Sequence, residues 1–232
     1  MSSTLIYALH RSGLIGLVDQ GRDIWALSSR NRRTSFSQHG EDLFLLEYFG
    51  SRKGVYIDIG ANHPLRLSNT YLLYRSGWTG LIVEPIRRLY AKHKRFRPKD
   101  IQVNAAVGDD GGTLTFYEMV PSVPSTCDAQ EAEDVAASGT ARLLHQYSVP
   151  IVSIAELYKT YLAGQKVQVL SVDAEGHDMS VLRSADWEAM SPELVICEFI
   201  NEETGSELSD FLAQQGYKPL RRISCNMIFA RS

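Results

Sequence analysis

Cysteine is scarce in this sequence, which has only three among 232 residues, at Cys127, Cys197 and Cys225. They lie far apart, and none belongs to a Cys-x-x-Cys pair or to a Cys/His spacing typical of a zinc site. This pattern argues against both structural zinc and a disulfide framework. We therefore expect a reducing compartment and a cytoplasmic protein.

Long apolar runs and a surplus of positive charge are also missing. The first segment, residues 1–11, has no basic start, and His10 and Arg11 interrupt its apolar stretch, so neither a signal peptide nor a transmembrane segment is expected. The net charge of −3 gives no global case for a nucleic-acid partner. We interpret the one local basic run as a solvated helix face: Arg87, Arg88, Lys92, Lys94, Arg95 and Arg97.

The composition that remains is that of a globular protein, with 44% hydrophobic and 22% charged residues. The length fits one domain with an added arm. Residues 1–34 mix apolar residues with arginines at spacings that predict one or two short amphipathic helices. We expect this arm to pack on the domain over residues 35–232 or on a second subunit, which would make a homo-oligomer; the alternative is a substrate lid.

Short apolar runs alternate with helical patterns from residue 54 onward. The predicted strands are Val55–Ile59, Leu81–Val83, Val103–Val107, Val167–Val172 and Leu194–Cys197, with another at residues 150–152. The predicted helices are Ser68–Tyr74, Ile86–Phe96, Ala155–Leu162 and Asp178–Leu182. Ser153 and Glu156 have the spacing of a capping box. This alternation predicts an α/β fold with a mainly parallel sheet and helices on both faces.

Two later segments complete the fold prediction. A helix over Ser206–Gln215 ends at Gly216, and the strand-like runs Tyr217–Arg222 and Asn226–Ala230 follow it closely enough to predict an antiparallel hairpin. Residues 121–140 show no clear periodicity and are predicted to form a long loop.

A glycine turn and a downstream acid suggest a nucleoside site. Asp58 and Gly60 lie at the end of the first strand, and Glu84 follows the second strand 26 residues after Asp58, where an acid can accept hydrogen bonds from ribose hydroxyls. The nicotinamide fingerprint Gly-x-Gly-x-x-Gly is the rival, but its second and third positions here are Asn62 and Leu65. S-adenosylmethionine, which has no pyrophosphate, suits this loop better.

Several blocks in order resemble the FkbM-type S-adenosylmethionine-dependent methyltransferases, which have the seven-stranded class I methyltransferase (Rossmann-like) fold. The blocks are Ser37-Gln-His-Gly-Glu-Asp42, Tyr56-Ile-Asp-Ile-Gly-Ala-Asn-His-Pro64, Ser68-Asn-Thr-Tyr-Leu-Leu-Tyr74, Gly77-Trp-Thr-Gly80, Glu84-Pro85, Ala105-Ala-Val-Gly108 and Ser171-Val-Asp-Ala-Glu-Gly-His-Asp178. They extend from residue 37 to about residue 200, and their combination is far more specific than any single block.

The resemblance implies a set of residues that bind S-adenosylmethionine. The set is Gln38, Asp42, Asp58, Gly60, Ala61, Asn62, His63, Asn69, Glu84, Pro85, Asn104, Ala105 and Asp173. Asp58 would lie near the methionine ammonium, Glu84 would hold the ribose, and Asn104 and Ala105 would flank the adenine. For Asp42 the alternative is an ordinary acidic helix start, and for Asn69 it is a helix cap.

Polar residues after the fourth and fifth main-sheet strands are the candidates for chemistry. Asp173, Glu175 and His177 are predicted as catalytic residues that assist removal of the acceptor's proton, although Asp173 could instead cap the next helix. Asp173 with Glu198 and Asn201 could hold magnesium, as oxygen ligands do in catechol-type enzymes. The resemblance does not establish a metal, and we predict no metal ligand.

The resemblance implies methylation of a hydroxyl on a sugar, glycan or secondary metabolite, with acceptor recognition in residues 121–140, near Ser125, Thr126 and His145. The expected partner is therefore a small-molecule or glycan acceptor. Two alternatives stay open: a nicotinamide-dependent oxidoreductase, and a catalytically silent module that only binds the cofactor.

Overall fold

The computed structural model describes residues 35–199 and 201–232, so the predicted arm over residues 1–34 lies outside the described residues. Two compact units are present, one including residues 113–149 and the other made of residues 35–112 and 150–232. The predicted domain boundary at residue 34 stays a prediction.

Ten strands and eight α-helices make up the described residues. The strands are β1 (Val55–Ile59), β2 (Thr79–Val83), β3 (Ile101–Val103), β4 (Ala106–Val107), β5 (Thr113–Val120), β6 (Arg142–Val152), β7 (Val167–Val172), β8 (Leu194–Glu198), β9 (Tyr217–Ile223) and β10 (Asn226–Arg231). The helices are α1 (Glu41–Phe49), α2 (Tyr71–Arg75), α3 (Arg87–Phe96), α4 (Ala129–Ala137), α5 (Ile154–Leu157), α6 (Asp178–Arg183), α7 (Trp187–Met190) and α8 (Glu202–Gln214). A π-helical turn, Tyr158–Leu162, continues α5.

The larger unit contains a seven-stranded sheet in the order β3-β2-β1-β7-β8-β10-β9. Neighbouring strands are parallel from β3 to β8, whereas β10 runs antiparallel to both β8 and β9. This arrangement confirms the predicted α/β fold and the antiparallel hairpin. The strand order reverses between β1 and β7, and open parallel sheets bind ligands beyond the strand ends at such a switch point.

Both faces of this sheet are covered by helices, which explains the continuous apolar runs of its central strands. On one face, Ile57 and Leu170 pack in a core with side chains of α5, α6 and α8. On the other face, Tyr56 and Val169 belong to a second core with Leu45 of α1. Successive residues of one strand therefore enter different cores.

Side-chain hydrogen bonds explain why several helices begin at residues other than the predicted ones. Helix α2 begins at Tyr71 rather than at Ser68, because the Ser68 hydroxyl accepts the Tyr71 N–H at 3.1 Å. Helix α8 begins at Glu202 rather than at Ser206, because Asn201 forms a capping box with Thr204. The predicted capping by Ser153 is confirmed, since its hydroxyl accepts the Glu156 N–H at 3.0 Å.

The strand predicted over Val103–Val107 is interrupted. Asn104 lies between β3 and β4, and its side-chain amide donates to the carbonyl oxygens of Glu84, at 2.7 Å, and Pro85, at 2.9 Å. These bonds fasten the end of β3 to the end of β2. The interruption therefore places Asn104 at the sheet edge where ligands are expected.

The smaller unit corrects the prediction of a loop over residues 121–140. Helix α4 occupies the middle of this segment, and the Asp128 carboxylate caps it by accepting the N–H groups of Gln130 and Glu131 at 2.7 and 3.0 Å. Ala132 is the buried member of this helix and packs with Met119. One small buried residue produces little apolar periodicity, so the pattern was too weak to predict the helix.

Three other sequence expectations can be compared with the described residues. All three cysteines are free, as expected. Among the described helices, none combines the length and apolar character needed to cross a bilayer. The interpretation of the basic run as a solvated face is wrong for Arg97, which is fully buried and forms an ion pair with Asp100 at 2.8 Å.

Candidate active site

The end of β1 passes directly over the end of β7. Gly60 has φ +72°, and a Cβ atom there would lie 1.8 Å from the carbonyl oxygen of Asp173. The Asp173 N–H donates to the Ile59 carbonyl at 3.1 Å, and the Gly60 N–H donates to the Val83 carbonyl of β2 at 3.0 Å. Glycine is therefore required both for the positive φ angle and for the close approach of the two chains.

Glu84, at the end of β2, is fixed to the loop that follows β1. Its buried carboxylate accepts the N–H of Asn62 at 2.6 Å and the N–H of Ile86 at 2.7 Å. Burial raises the pKa of Glu84 to about 8, and these hydrogen bonds oppose the rise. The two predicted cofactor residues Asn62 and Glu84 are thus in direct contact.

Asp58 lies at the end of β1 and is almost completely buried. Its carboxylate accepts a hydrogen bond from the Thr70 hydroxyl. Burial raises the pKa of Asp58 to about 6, whereas the Arg97 guanidinium lowers it. Nearby, the Asn69 amide donates to the Ser171 hydroxyl at 3.1 Å, so Asn69 joins the loop before α2 to β7.

Carboxylates converge beyond β7 and β8. Asp173, Glu175 and Glu198 each offer an oxygen atom within 4.8 Å of the others. Asp173 is exposed at the surface. Although solvent reaches this side chain, the protein atoms around its carboxyl group displace part of the surrounding water, and this loss, together with the nearby Glu198 and Asp178 carboxylates, raises its pKa to about 7. Like charges this close favour either a shared proton or a bound cation.

Asp178 holds the two loops of this acidic group together. Its buried carboxylate accepts the Ala174 N–H at 2.8 Å and the Glu198 N–H at 3.1 Å. Burial raises the pKa of Asp178 to about 7. The ends of β7 and β8 are therefore linked by a side chain that belongs to the predicted acidic cluster after β7 but that was assigned no catalytic or cofactor-binding role.

The predicted oxygen set for magnesium needs one correction. Asp173 and Glu198 do converge, but the Asn201 side chain caps α8 by accepting the Thr204 N–H at 2.9 Å. Glu175 takes the third place in the group. These three acids have the donor chemistry of a hard-cation site, and metal binding stays a hypothesis.

The loop before α1 is organised by Asp42. Its buried carboxylate accepts hydrogen bonds from the Ser35 and Ser37 hydroxyls at 2.7 and 2.9 Å, and from the N–H groups of Phe36 and Leu43 at 2.7 and 2.9 Å. These bonds give Asp42 a positioning role. Its direct contact with a cofactor stays a prediction, as does that of Gln38, which is exposed.

The other predicted site residues differ in their exposure. Ala61 and Ala105 are buried, and Pro85 is half-buried. His63 is buried, with Nδ1 accepting the Leu65 N–H at 3.2 Å. His177 is exposed at the start of α6, and its N–H donates to the Ala174 carbonyl at 3.1 Å.

His93 was not predicted as a site residue, yet its side chain contacts the loop after β1. Its Nε2 lies 2.9 Å from the Asn62 carbonyl oxygen, so the ring must donate there. Burial lowers the pKa of His93 to about 3, and the ring is neutral. The spacing of Leu89 and His93, four residues apart on one helix, was the signal that could have indicated a buried face.

The family model of the methyltransferase FkbM domain matches residues 58–219. The chain belongs to the FkbM methyltransferase family.

Solved structures similar to this FkbM-family chain are methyltransferases. Methyltransferase FkbM from Methylobacillus flagellatus KT has a TM-score of 0.54 and 11% identity, over 84% of this chain and 48% of that chain. This chain thus spans about half the length of that relative. A search of curated proteins finds no match.

Two further similar structures have lower scores. A TehB-like SAM-dependent methyltransferase from Corynebacterium glutamicum has a TM-score of 0.43 and 10% identity, over 94% of this chain and 97% of that one. A Burkholderia thailandensis 1,6-didemethyltoxoflavin-N1-methyltransferase, with bound S-adenosylhomocysteine, has a TM-score of 0.42 and 12% identity, over 100% and 91%.

The close approach at Gly60 can be tested with a matched pair of glycines. Gly60→Ala should destabilise the FkbM-family domain more than Gly164→Ala, because both glycines have φ near +75° but only Gly60 faces a carbonyl oxygen. Gly164→Ala should cost about 1–2 kcal/mol for its left-handed backbone. Urea denaturation measures both, and equal losses would contradict the steric argument.

The raised pKa of Glu84 predicts how stability changes with pH. The folded protein binds more protons than the unfolded chain between the ordinary pKa and about 8, so the free energy of unfolding should fall as pH rises through this window. Asp173 and Asp178, whose pKa values are raised to about 7, add to this fall. Above about pH 7.5, His93 is neutral in both states and does not oppose the trend. Urea denaturation of the ligand-free protein between pH 7.5 and 9 measures the slope.

Glu84→Gln should reduce this slope, because glutamine does not titrate; the slope that remains comes from Asp173 and Asp178. Glu47→Gln, on the exposed side of α1, is the matched control and should leave the slope unchanged. A Glu84→Gln protein with the parent's slope would show that Glu84 titrates normally.

Proposed function

We propose that this FkbM-family chain transfers the methyl group of S-adenosylmethionine to a hydroxyl oxygen on a sugar, glycan or secondary metabolite. The observation that carries the proposal is the convergence of Asp173, Glu175 and Glu198 beside the Gly60 loop. These three acids are the candidate bases, and they lie at the same end of the sheet as the acidic site proposed for the nucleoside.

The residues after β1 and β2 fit the cofactor. Each carboxylate oxygen of Glu84 accepts one backbone N–H and keeps a second lone pair, which can accept a ribose hydroxyl. The backbone at Gly60 carries no Cβ that would narrow the loop. When bound, S-adenosylmethionine supplies an electrophilic methyl group on a sulfonium cation. Asp58 and Asp173 provide negative charge for a cationic ligand when they are ionised.

Asp173 is the proposed general base for the acceptor hydroxyl. A pKa of about 7 suits proton removal near neutral pH, since an efficient base has a pKa close to the working pH. Its exposure lets an acceptor reach it. Glu175 and His177 are the alternative candidates in the same loop. Acceptor recognition is assigned to residues 121–140 as part of the proposal.

The family match bears differently on the two alternatives, a nicotinamide-dependent oxidoreductase and a catalytically silent module. The family match favours methyl transfer over nicotinamide chemistry, and Asn62 replaces the second glycine of that fingerprint. A catalytically silent module would bind the cofactor without methylating any acceptor. Magnesium is outside the proposal, and full activity after exhaustive chelation would exclude it.

Cofactor binding is tested by calorimetry with Glu84→Gln. Losing a charge-assisted hydrogen bond to a ribose hydroxyl costs about 1.5–3 kcal/mol, so we expect the Kd of S-adenosylmethionine to rise at least about 10-fold. Glu47→Gln, on the exposed side of α1, should bind like the parent. Absence of binding by the parent of both S-adenosylmethionine and S-adenosylhomocysteine would overturn the proposal.

Methyl transfer is tested with Asp173→Asn and methyl-labelled cofactor on a panel of sugars, glycans and hydroxylated metabolites. Loss of a general base should lower kcat by about 10²–10⁴-fold. The exposed Asp210→Asn is the matched control and should keep parental kcat. Label found on nitrogen, or on added RNA alone, would contradict transfer to a small-molecule hydroxyl, and no transfer despite cofactor binding would support a silent module.

A further inference from the structure

Arg97 is buried completely at the end of α3, below the loop that follows β1. Its guanidinium donates to the Asp100 carboxylate at 2.8 Å, the Tyr56 hydroxyl at 2.7 Å, the Thr70 hydroxyl at 2.9 Å and the Ser68 hydroxyl at 3.3 Å. A buried charge is tolerated only when it is paired and hydrogen-bonded, and this one is both.

The hydrogen bonds at Thr70 have a fixed direction. A guanidinium has donors but no acceptor, so the Thr70 oxygen must accept from Arg97. The single hydroxyl hydrogen of Thr70 is then available to Asp58, which accepts it. The three residues form a directed relay in which Arg97 orients Thr70 and Thr70 holds the Asp58 carboxylate.

The packing around Tyr56 fixes the other side of Arg97. The Tyr56 hydroxyl donates to Asp100 at 2.7 Å, and the Gly80 N–H donates to the same carboxylate at 2.9 Å. A Cβ atom at Gly80 would lie 2.2 Å from the Tyr56 ring. The absence of a side chain at Gly80 therefore leaves room for the ring that helps to orient Arg97.

We propose that Arg97 is a positioning residue of the cofactor site, which acts through Thr70 to hold the Asp58 carboxylate in place and in its ionised form. The proposal rests on the proposed function only in assigning Asp58 to the site of a cationic cofactor. The relay itself is independent of any ligand.

Several ionisable groups act on Asp58 besides Arg97. They are Asp100, Glu84 and Asp173. Burial raises the pKa of Asp58 and Arg97 opposes this rise, whereas the neighbouring Asp100 adds to it. Removing the cation or its link to Asp58 should therefore favour the protonated carboxyl group, which attracts a cation less.

The test uses the full chain with Thr70→Val and Arg97→Lys. Thr70→Val keeps the shape and leaves Arg97 in place but breaks the relay, so it remains informative if Arg97→Lys fails to fold. We expect both variants to bind S-adenosylmethionine at least 10-fold more weakly than the parent at pH 6.5. Much of this loss should be recovered at pH 8.5, because Asp58 is ionised there.

Tyr217→Phe is the control for a purely structural role. It removes the hydrogen bond that a buried tyrosine hydroxyl donates to the Pro192 carbonyl at 2.7 Å, without touching Arg97, Thr70 or Asp58. We expect lower stability in urea but the parent's pH dependence of cofactor binding. Thr115→Val, an exposed strand position, controls for the substitution itself.

Carbon-13 NMR titration of the Asp58 carboxyl group in the ligand-free protein gives the decisive readout. A higher pKa of Asp58 in Thr70→Val than in Tyr217→Phe supports the relay. Equal pKa values in Thr70→Val and the parent would overturn it. If the parent binds no S-adenosylmethionine, the proposed function fails, yet the same titration of Arg97→Lys still decides whether Arg97 acts on Asp58.

Discussion

The contact of Gly60 with the carbonyl of Asp173 is the constraint on which the rest of the site depends. It brings the ends of β1 and β7 together where the strand order reverses. With that spacing set, Asn62 reaches the Glu84 carboxylate, and Asp173 faces Glu198 at the end of β8. A larger residue at position 60 would separate the nucleoside side of the site from the side with candidate bases.

The acids of this site have different charged and polar neighbours, which affect their ionisation differently. Asp58 has a buried cation two hydrogen bonds away, through Thr70 and Arg97. Glu84 has backbone N–H groups, which stabilise its ionised form but do not outweigh its burial. Asp173 has other carboxylates as neighbours. The cation near Asp58 favours its ionised form, whereas Asp173 holds a proton near neutral pH and can exchange it.

Sequence reasoning predicted the acids at strand ends because their position follows from local pattern alone. Asp58, Glu84 and Asp173 each end an apolar run, and parallel strands bring such ends together. Arg97 and His93 could not be found in this way, since their burial depends on contacts between distant segments. Asn201 does not join the possible magnesium ligands, because the start of a helix competes for the same side chain.

Protons and a cationic ligand compete for the same carboxylates at this sheet edge. Glu84 and Asp173 have pKa values of about 8 and 7, so the ligand-free site is partly protonated under neutral conditions. A positively charged ligand favours the ionised forms, and by linkage its binding must release protons. The excess of acid at one end of a chain with a net charge of only −3 thus attracts a cation and, under the proposed function, provides a place to receive the acceptor's proton.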